Sequence, residues 1–148
     1  MLVRILHLFH ILKRPMTLGV RAAAFDTGGR IFLVRHTYIG GWYLPGGGVD
    51  VGESVYEALE RELAEEGNLE FSDPASLFGF YFNRNASRRD HVALFVCRNA
   101  TQSAPFRGNA EIAEAGFFET DALPENTTEA TRRRLSELLD GAPVSRHW

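Results

Sequence analysis

Apolar positions along the chain come in two rhythms. Residues 17–25 and 30–36 are nearly continuous, branched-rich apolar runs separated by Asp26, Thr27, Gly28 and Gly29. Glycine and aspartate tolerate positive φ, so this spacing predicts two strands paired as a hairpin. Residues 53–66 then have helical composition, and residues 77–83 and 91–98 read again as strands joined by a polar, basic link. Phe117 and Phe118 mark one further short strand. A charge-rich second helix is predicted over residues 125–139, stopping before Gly141, Ala142 and Pro143. Strands flank the first helix on both sides and another helix closes the chain, which predicts an α/β fold with a mixed sheet packed between helices.

The first dozen residues follow neither rhythm. Leu2, Val3, Ile5, Leu6, Leu8, Phe9, Ile11 and Leu12 are apolar, but the run is too short to span a bilayer and is broken by Arg4, His7 and His10. Cleavage after Ala22 to Ala24 would delete the first core strand, which argues against a signal peptide. Residues 1–15 are expected to form a helix docked on the domain or on a second subunit, as in a homodimer. Lys13 and Arg14 keep an interfacial membrane helix open as the alternative. Residues 16–148 are expected to form one domain, because 148 residues at 45% apolar content build one ordinary core and not two.

A formal charge of −3 argues against a general duplex nucleic-acid binder, which needs a net basic surface. Any phosphate must be handled locally. Cys97 is the only cysteine, so no disulfide closes within the chain, which suits a reducing cytoplasm.

Ser54 with Glu57 three residues later fits a capping box, so the first helix should begin at about Ser54. Gly67 and Asn68 supply the left-handed conformation that ends it. At about 100° per residue, Val55, Leu59 and Leu63 form its apolar stripe, and Glu62 and Glu66 project beside that stripe, with Glu65 a little further round. Acidic runs on helices are ordinarily solvated faces. Carboxylates on the buried side, at the negative end of a helix, instead repel one another and lose hydration unless a cation compensates. Carboxylate oxygens are hard ligands suited to Mg²⁺ or Mn²⁺, and the spacing of Glu62, Glu65 and Glu66 converges them. The preceding Leu44, Pro45, Gly46, Gly47 and Gly48 let backbone approach a ligand and offer carbonyls as further ligands.

The combination is specific. Gly47, five residues, Glu53, seven residues, and then Arg61, Glu62, Leu63, Ala64, Glu65 and Glu66 resembles the box of the Nudix hydrolases in spacing and in every charged position. The likeness extends upstream to Gly41, Trp42, Tyr43, Leu44 and Pro45, and downstream to residues 112–118. One position departs, Asn68 standing where the family has glycine.

The resemblance implies an α/β/α sandwich with a mixed sheet and Mg²⁺-dependent hydrolysis of a phosphoanhydride in a nucleoside diphosphate derivative. It implies Glu62, Glu65 and Glu66 as metal ligands, with the Gly46 carbonyl a further one. Glu53 and Arg61 would then be an ion pair that fixes the helix and orients those ligands. A carboxylate must take the proton of the attacking water. Glu65, Glu66, Glu111 and Glu114 are candidates, with Glu111 favoured.

Substrate contacts are less legible. Arg84, Arg88 and Arg89 could reach phosphates, and Trp42, Tyr43 and Tyr81 could stack a base, although such residues serve as often in solvent or core. His36 and His91 lack metal-ligand spacing to other His or Cys and read as structural. A small-molecule nucleotide is the expected partner, a nucleoside triphosphate by default. ADP-ribose or a nucleotide sugar is the alternative, and a catalytically silent nucleotide-sensing module is the reading from another class.

Overall fold

The computed structural model describes residues 2–148, so the Met1 end of the N-terminal segment lies outside the described residues. Its elements are α1 (Leu2–Lys13), β1 (Thr17–Ala24), β2 (Ile31–His36), α2 (Val55–Gly67), β3 (Leu69–Phe71), β4 (Ser76–Phe82), β5 (Asp90–Cys97), β6 (Ala100–Gln102), β7 (Ile112–Phe118) and α3 (Glu129–Leu139). The mixed sheet is present. β5 pairs parallel with β1 and antiparallel with β4, while β2 pairs antiparallel with β7.

Strand alternation explains the layers. Val20, Ala22 and Ala24 of β1, Phe32 and Val34 of β2, and Ala93, Phe95 and Cys97 of β5 pack with Ala58, Leu59 and Leu63 of α2. The intervening residues, Ala23, Ile31, Leu33, Leu94 and Val96, pack with Leu135 and Leu138 of α3. Successive side chains of a strand point to opposite faces, and both faces are covered, so these strands read as unbroken apolar runs.

Two expectations are corrected. The runs at 17–25 and 30–36 are strands, and the turn between them exists, with the Asp26 N–H donating to the Arg30 carbonyl at 3.0 Å. They nevertheless do not form a paired hairpin. Only Phe25 and Ile31 bridge, because β1 takes β5 as its hydrogen-bonded neighbour from Thr17↔Asp90 to Ala24↔Cys97. The first segment forms α1, and its residues 3–13 are all exposed, so the helix does not pack on the domain of its own chain. Its polar residues, Arg4, His7, His10 and Lys13, interrupt the apolar surface that docking would bury.

Candidate active site

The first turn of α2 is built as its sequence predicts. The Glu57 N–H donates to the Ser54 hydroxyl at 3.2 Å, and the Ser54 N–H donates to Glu57 Oε2 at 2.7 Å, closing a capping box. At the other end Asn68 adopts φ 52°, ψ 33°, and its N–H returns to the Ala64 carbonyl. Asparagine thus performs the helix stop where the resembled family has glycine.

The helix sets Glu62 and Glu66 against the glycine loop with Glu65 beside them, and the three differ sharply. Glu66 is only 4% exposed and accepts a 2.7 Å hydrogen bond from the Gly46 N–H on Oε2. Burial pushes its carboxyl up to about 7, with Glu62 and Glu111 adding to the rise and the Gly46 N–H and Arg21 opposing it. Glu62 is held by Arg61 at 2.6 Å and lies against Gly47, where any Cβ would strike its carboxylate. Glu65 is more exposed, 3.6 Å from Arg61.

Arg61 organises the outer layer. It contacts Glu53 at 2.6 Å and donates to the Gly48 carbonyl at 3.0 Å, so one guanidinium ties the helix start, the helix middle and the loop. Its hydrogen bonds to Glu53 and Glu62 push the guanidinium upward from its usual value, and the same contact lowers Glu53. No hydrogen bond engages the Gly46 carbonyl among the described residues. Loop position is fixed by β1, whose Val20 and Ala22 N–H groups donate to the Gly47 and Pro45 carbonyls, both at 2.9 Å.

A pocket of about 320 Å³ opens beside the helix, lined by Glu62, Glu65 and Glu66 from α2 and by Asn109, Glu111 and Ile112 from the approach to β7. Asn109 shapes that wall. Its side-chain amide donates to the Glu65 carbonyl at 3.1 Å, and its Oδ1 accepts from the Glu111 and Ile112 N–H groups. Glu114 lies outside the pocket and pairs with Arg35 at 2.9 Å, which separates it from Glu111. On the other side of the loop lies a cleft of about 500 Å³, lined by Leu18, Gly19, Arg21, Gly47, Gly48, Asn83 and Asp90 among others.

His36 enters the site unforeseen. One of its ring nitrogens and carboxylate oxygens of Glu66 and Glu111 lie within 4.8 Å of one another. Spacing to another His or Cys gives no sign of this role, because the neighbours of His36 are carboxylates from two other elements. Alternation was the available signal, since position 36 shares a face of β2 with Phe32 and Val34. Burial lowers the imidazole, Arg21 lowers it further, and Glu111 opposes both. Arg21 was likewise missed.

Two of the three expected base-stacking residues, Tyr81 and Trp42, face away from this site. Tyr81 is fully buried on the α3 face, its hydroxyl donating to Glu137 at 2.8 Å, so it cannot stack a base. Trp42 packs edge-on against Phe118 at 4.8 Å on that same face. Both assignments are corrected: an aromatic run does not reveal which sheet face it serves. Arg84 is exposed in the turn after β4, with Arg88 and Arg89 in the same link. Asn83 and Asp90, at the two ends of that link, line the cleft. Tyr43 packs edge-on to His36 at 5.4 Å.

A divalent ion fits the donors present. Several carboxylates converge on one pocket, and the buried one has a backbone amide as its hydrogen-bond partner and, among the described residues, no cationic side chain in contact. Arg61 pairs with Glu62 and Glu65, so the buried Glu66 is the carboxylate left for a cation to compensate, and hard oxygen donors are those Mg²⁺ and Mn²⁺ take.

The family model for the NUDIX domain matches residues 15–139, and the chain belongs to that family. It is 32% identical over 99 residues to the ADP-ribose pyrophosphatase of Methanocaldococcus jannaschii, a match covering 65% of this chain and 58% of that protein's length. The crystal structure of a MutT NUDIX hydrolase from Burkholderia pseudomallei superposes with a TM-score of 0.69 at 27% identity, covering 82% of this chain and 97% of that one. An ADP-ribose pyrophosphatase from Streptococcus suis superposes with a TM-score of 0.64 at 28% identity, covering 89% and 95%. The α/β/α sandwich expected from the sequence is therefore the fold.

Proposed function

We propose that this NUDIX-family chain is a divalent-metal-dependent pyrophosphohydrolase that cuts a phosphoanhydride in a nucleoside diphosphate derivative. The observation that carries the reading is the buried Glu66 carboxylate, which lines one pocket with Glu62, Glu65 and Glu111 and, among the described residues, has a backbone amide and no cationic side chain in contact. A domain without metal chemistry has no physical reason to keep so unfavourable a cluster.

Glu62, Glu65 and Glu66, with the Gly46 carbonyl, would hold the ion, Mg²⁺ in the cell with Mn²⁺ able to replace it. When bound, that ion neutralises phosphate charge and acidifies a water molecule. Glu53 and Arg61 keep the ligands oriented through their ion pair. Glu111, exposed at the rim of the pocket, takes the proton from the attacking water as its oxygen bonds to phosphorus and the bridging oxygen leaves with the other phosphate. Arg21, which lines the cleft, neutralises phosphate, and Arg84 reaches the same ligand from the link beyond Asn83. The cleft itself receives the nucleoside. A cytoplasmic setting belongs to this reading, Cys97 being a single buried thiol.

A nucleoside triphosphate is the leading substrate. ADP-ribose is the second reading, favoured by the printed activities of the archaeal and streptococcal relatives. The test is turnover of nucleoside triphosphates, ADP-ribose, dinucleoside polyphosphates and nucleotide sugars with and without Mg²⁺, in the natural chain and in Glu66→Gln. Metal-dependent cleavage that disappears in Glu66→Gln supports the reading and identifies the substrate. No turnover of any compound, together with metal-independent nucleotide binding, replaces it with a nucleotide sensor.

A further inference from the structure

We infer that His36 gives a ring nitrogen directly to the ion held by the α2 glutamates, making this a mixed nitrogen and oxygen site. The inference rests on the metal-dependent reading above and adds a ligand from a different element of the fold.

Three observations carry it. A ring nitrogen of His36 lies within 4.8 Å of an oxygen of Glu66 and of an oxygen of Glu111, so the ring is within reach of an ion held at Glu66. His36 Nδ1 is shielded from solvent and has no hydrogen-bond partner among the described residues, a state that His91 Nδ1 shares, so it is the carboxylates beside the ring that set His36 apart. The backbone around the ring is also specialised. β2 and β7 slip register between Arg35 and His36, Arg35 facing Glu114 and His36 facing Ile112, so two residues of β7 answer one step of β2. Such a bulge brings the Glu111 end of β7 beside the ring, and the Thr37 N–H then donates to the Glu111 carbonyl at 2.8 Å. Tyr38 and Tyr43 pack against the imidazole, with centroids at 5.2 and 5.4 Å, and hold its plane.

Chemistry sets the consequence. Mg²⁺ takes oxygen ligands almost exclusively, whereas imidazole gains affinity along the series from Mn²⁺ to Ni²⁺. His36 therefore shifts this site toward Mn²⁺ and later transition ions relative to Mg²⁺.

The test is pulsed electron paramagnetic resonance on the full chain loaded with Mn²⁺, alongside titration of Mn²⁺ and Mg²⁺ binding. The expected result is a directly coordinated ¹⁴N signal in the natural protein, lost in His36→Gln, with Mn²⁺ affinity falling about tenfold and Mg²⁺ affinity changing little. A control variant, His91→Gln, leaves His36 in place and keeps the signal, and His36→Asn repeats the test where His36→Gln does not fold. Mn²⁺ bound without nitrogen coupling, or coupling that survives in His36→Gln or vanishes in His91→Gln, overturns the inference and leaves the hydrolase reading intact. No Mn²⁺ uptake by the natural protein overturns both.

Discussion

The Gly46 N–H donates to Glu66 Oε2 at 2.7 Å, and that single bond joins the glycine loop to the most deeply buried carboxylate of the chain. Gly46 holds φ at 138°, and any Cβ there would collide with the Val20 carbonyl, so only glycine brings its amide this close. The bond offsets part of the burial cost of Glu66, and the rest shows in its carboxyl standing at about 7.

That elevation predicts a pH dependence of the metal-free protein. A carboxyl with a folded value near 7 and an unfolded value near 4.5 binds its proton more tightly when folded. Folding stability should therefore fall as pH rises from about 4.5 to 7, by about 3 kcal/mol from this group alone. Urea unfolding in the presence of a chelator measures it. Glu66→Gln should flatten that part of the curve, and metal added at pH 7.5 should restore stability to the natural chain only. An equal slope in both proteins would assign the pH dependence to other groups.

Arg61→Lys should separate orientation from charge. A lysine keeps the positive charge but loses the fork that holds Glu53, Glu62 and the Gly48 carbonyl together. Metal affinity and kcat/KM should fall by about 10- to 100-fold. Thermal stability should change little, since the pairs are partly exposed. Calorimetric metal titration beside a melting curve distinguishes this from simple unfolding.

Gly47→Ala should act on the same ligand from the opposite side. The added methyl occupies the space of the Glu62 carboxylate, which must rotate away from Arg61. Turnover should drop at least about tenfold while the Glu53 and Arg61 pair survives. Steady-state kinetics at saturating metal reads this directly. Unchanged kcat at every metal concentration would remove Glu62 from the ligand set.

What the sequence reveals here is what is encoded locally. Ser54, Glu57 and Asn68 fix the ends of α2 through bonds to residues three or four positions away, and the Glu62, Glu65 and Glu66 spacing follows from helical pitch. Long-range choices were hidden. Asp26 to Gly29 is a genuine turn, yet β1 takes a parallel neighbour some seventy residues away, a pairing no turn signal announces. β3 and β6 are three residues each, too short for any periodicity to register. Tyr81 and Trp42 misled for a related reason: β4 is apolar at the exposed Leu77 and Phe80 as well as at the buried Tyr81, and Trp42 lies outside the strands, so alternation does not show the face of either aromatic. His36 was legible in part, sharing the parity of Phe32 and Val34, but its carboxylate neighbours come from α2 and the approach to β7.

The opposite face of the sheet carries a polar centre whose loss should destabilise the protein without touching the metal site. Arg134 has no exposed surface and lies under Tyr81, with its guanidinium carbon 4.3 Å from that ring. It donates to Glu137 at 2.7 Å and to the His147 carbonyl at 3.0 Å, while Glu137 also accepts from Tyr81 and from the Ser145 N–H. One ion pair thus fastens β4, α3 and the C-terminal segment together. Breaking a buried pair by removing one partner leaves the other charge uncompensated, so Arg134→Ala should cost roughly 3–5 kcal/mol. Arg134→Met with Glu137→Leu removes both charges and should cost less than either single change, because no buried ion is then left alone. Tyr81→Phe deletes one hydrogen bond to a charged group and should cost about 1.5–3 kcal/mol. Urea denaturation of the four proteins yields the ordering, and Mn²⁺ affinity measured well below the unfolding transition should be equal in all of them. A double variant less stable than Arg134→Ala would mean that the network stabilises the fold by more than the avoidance of an unpaired charge.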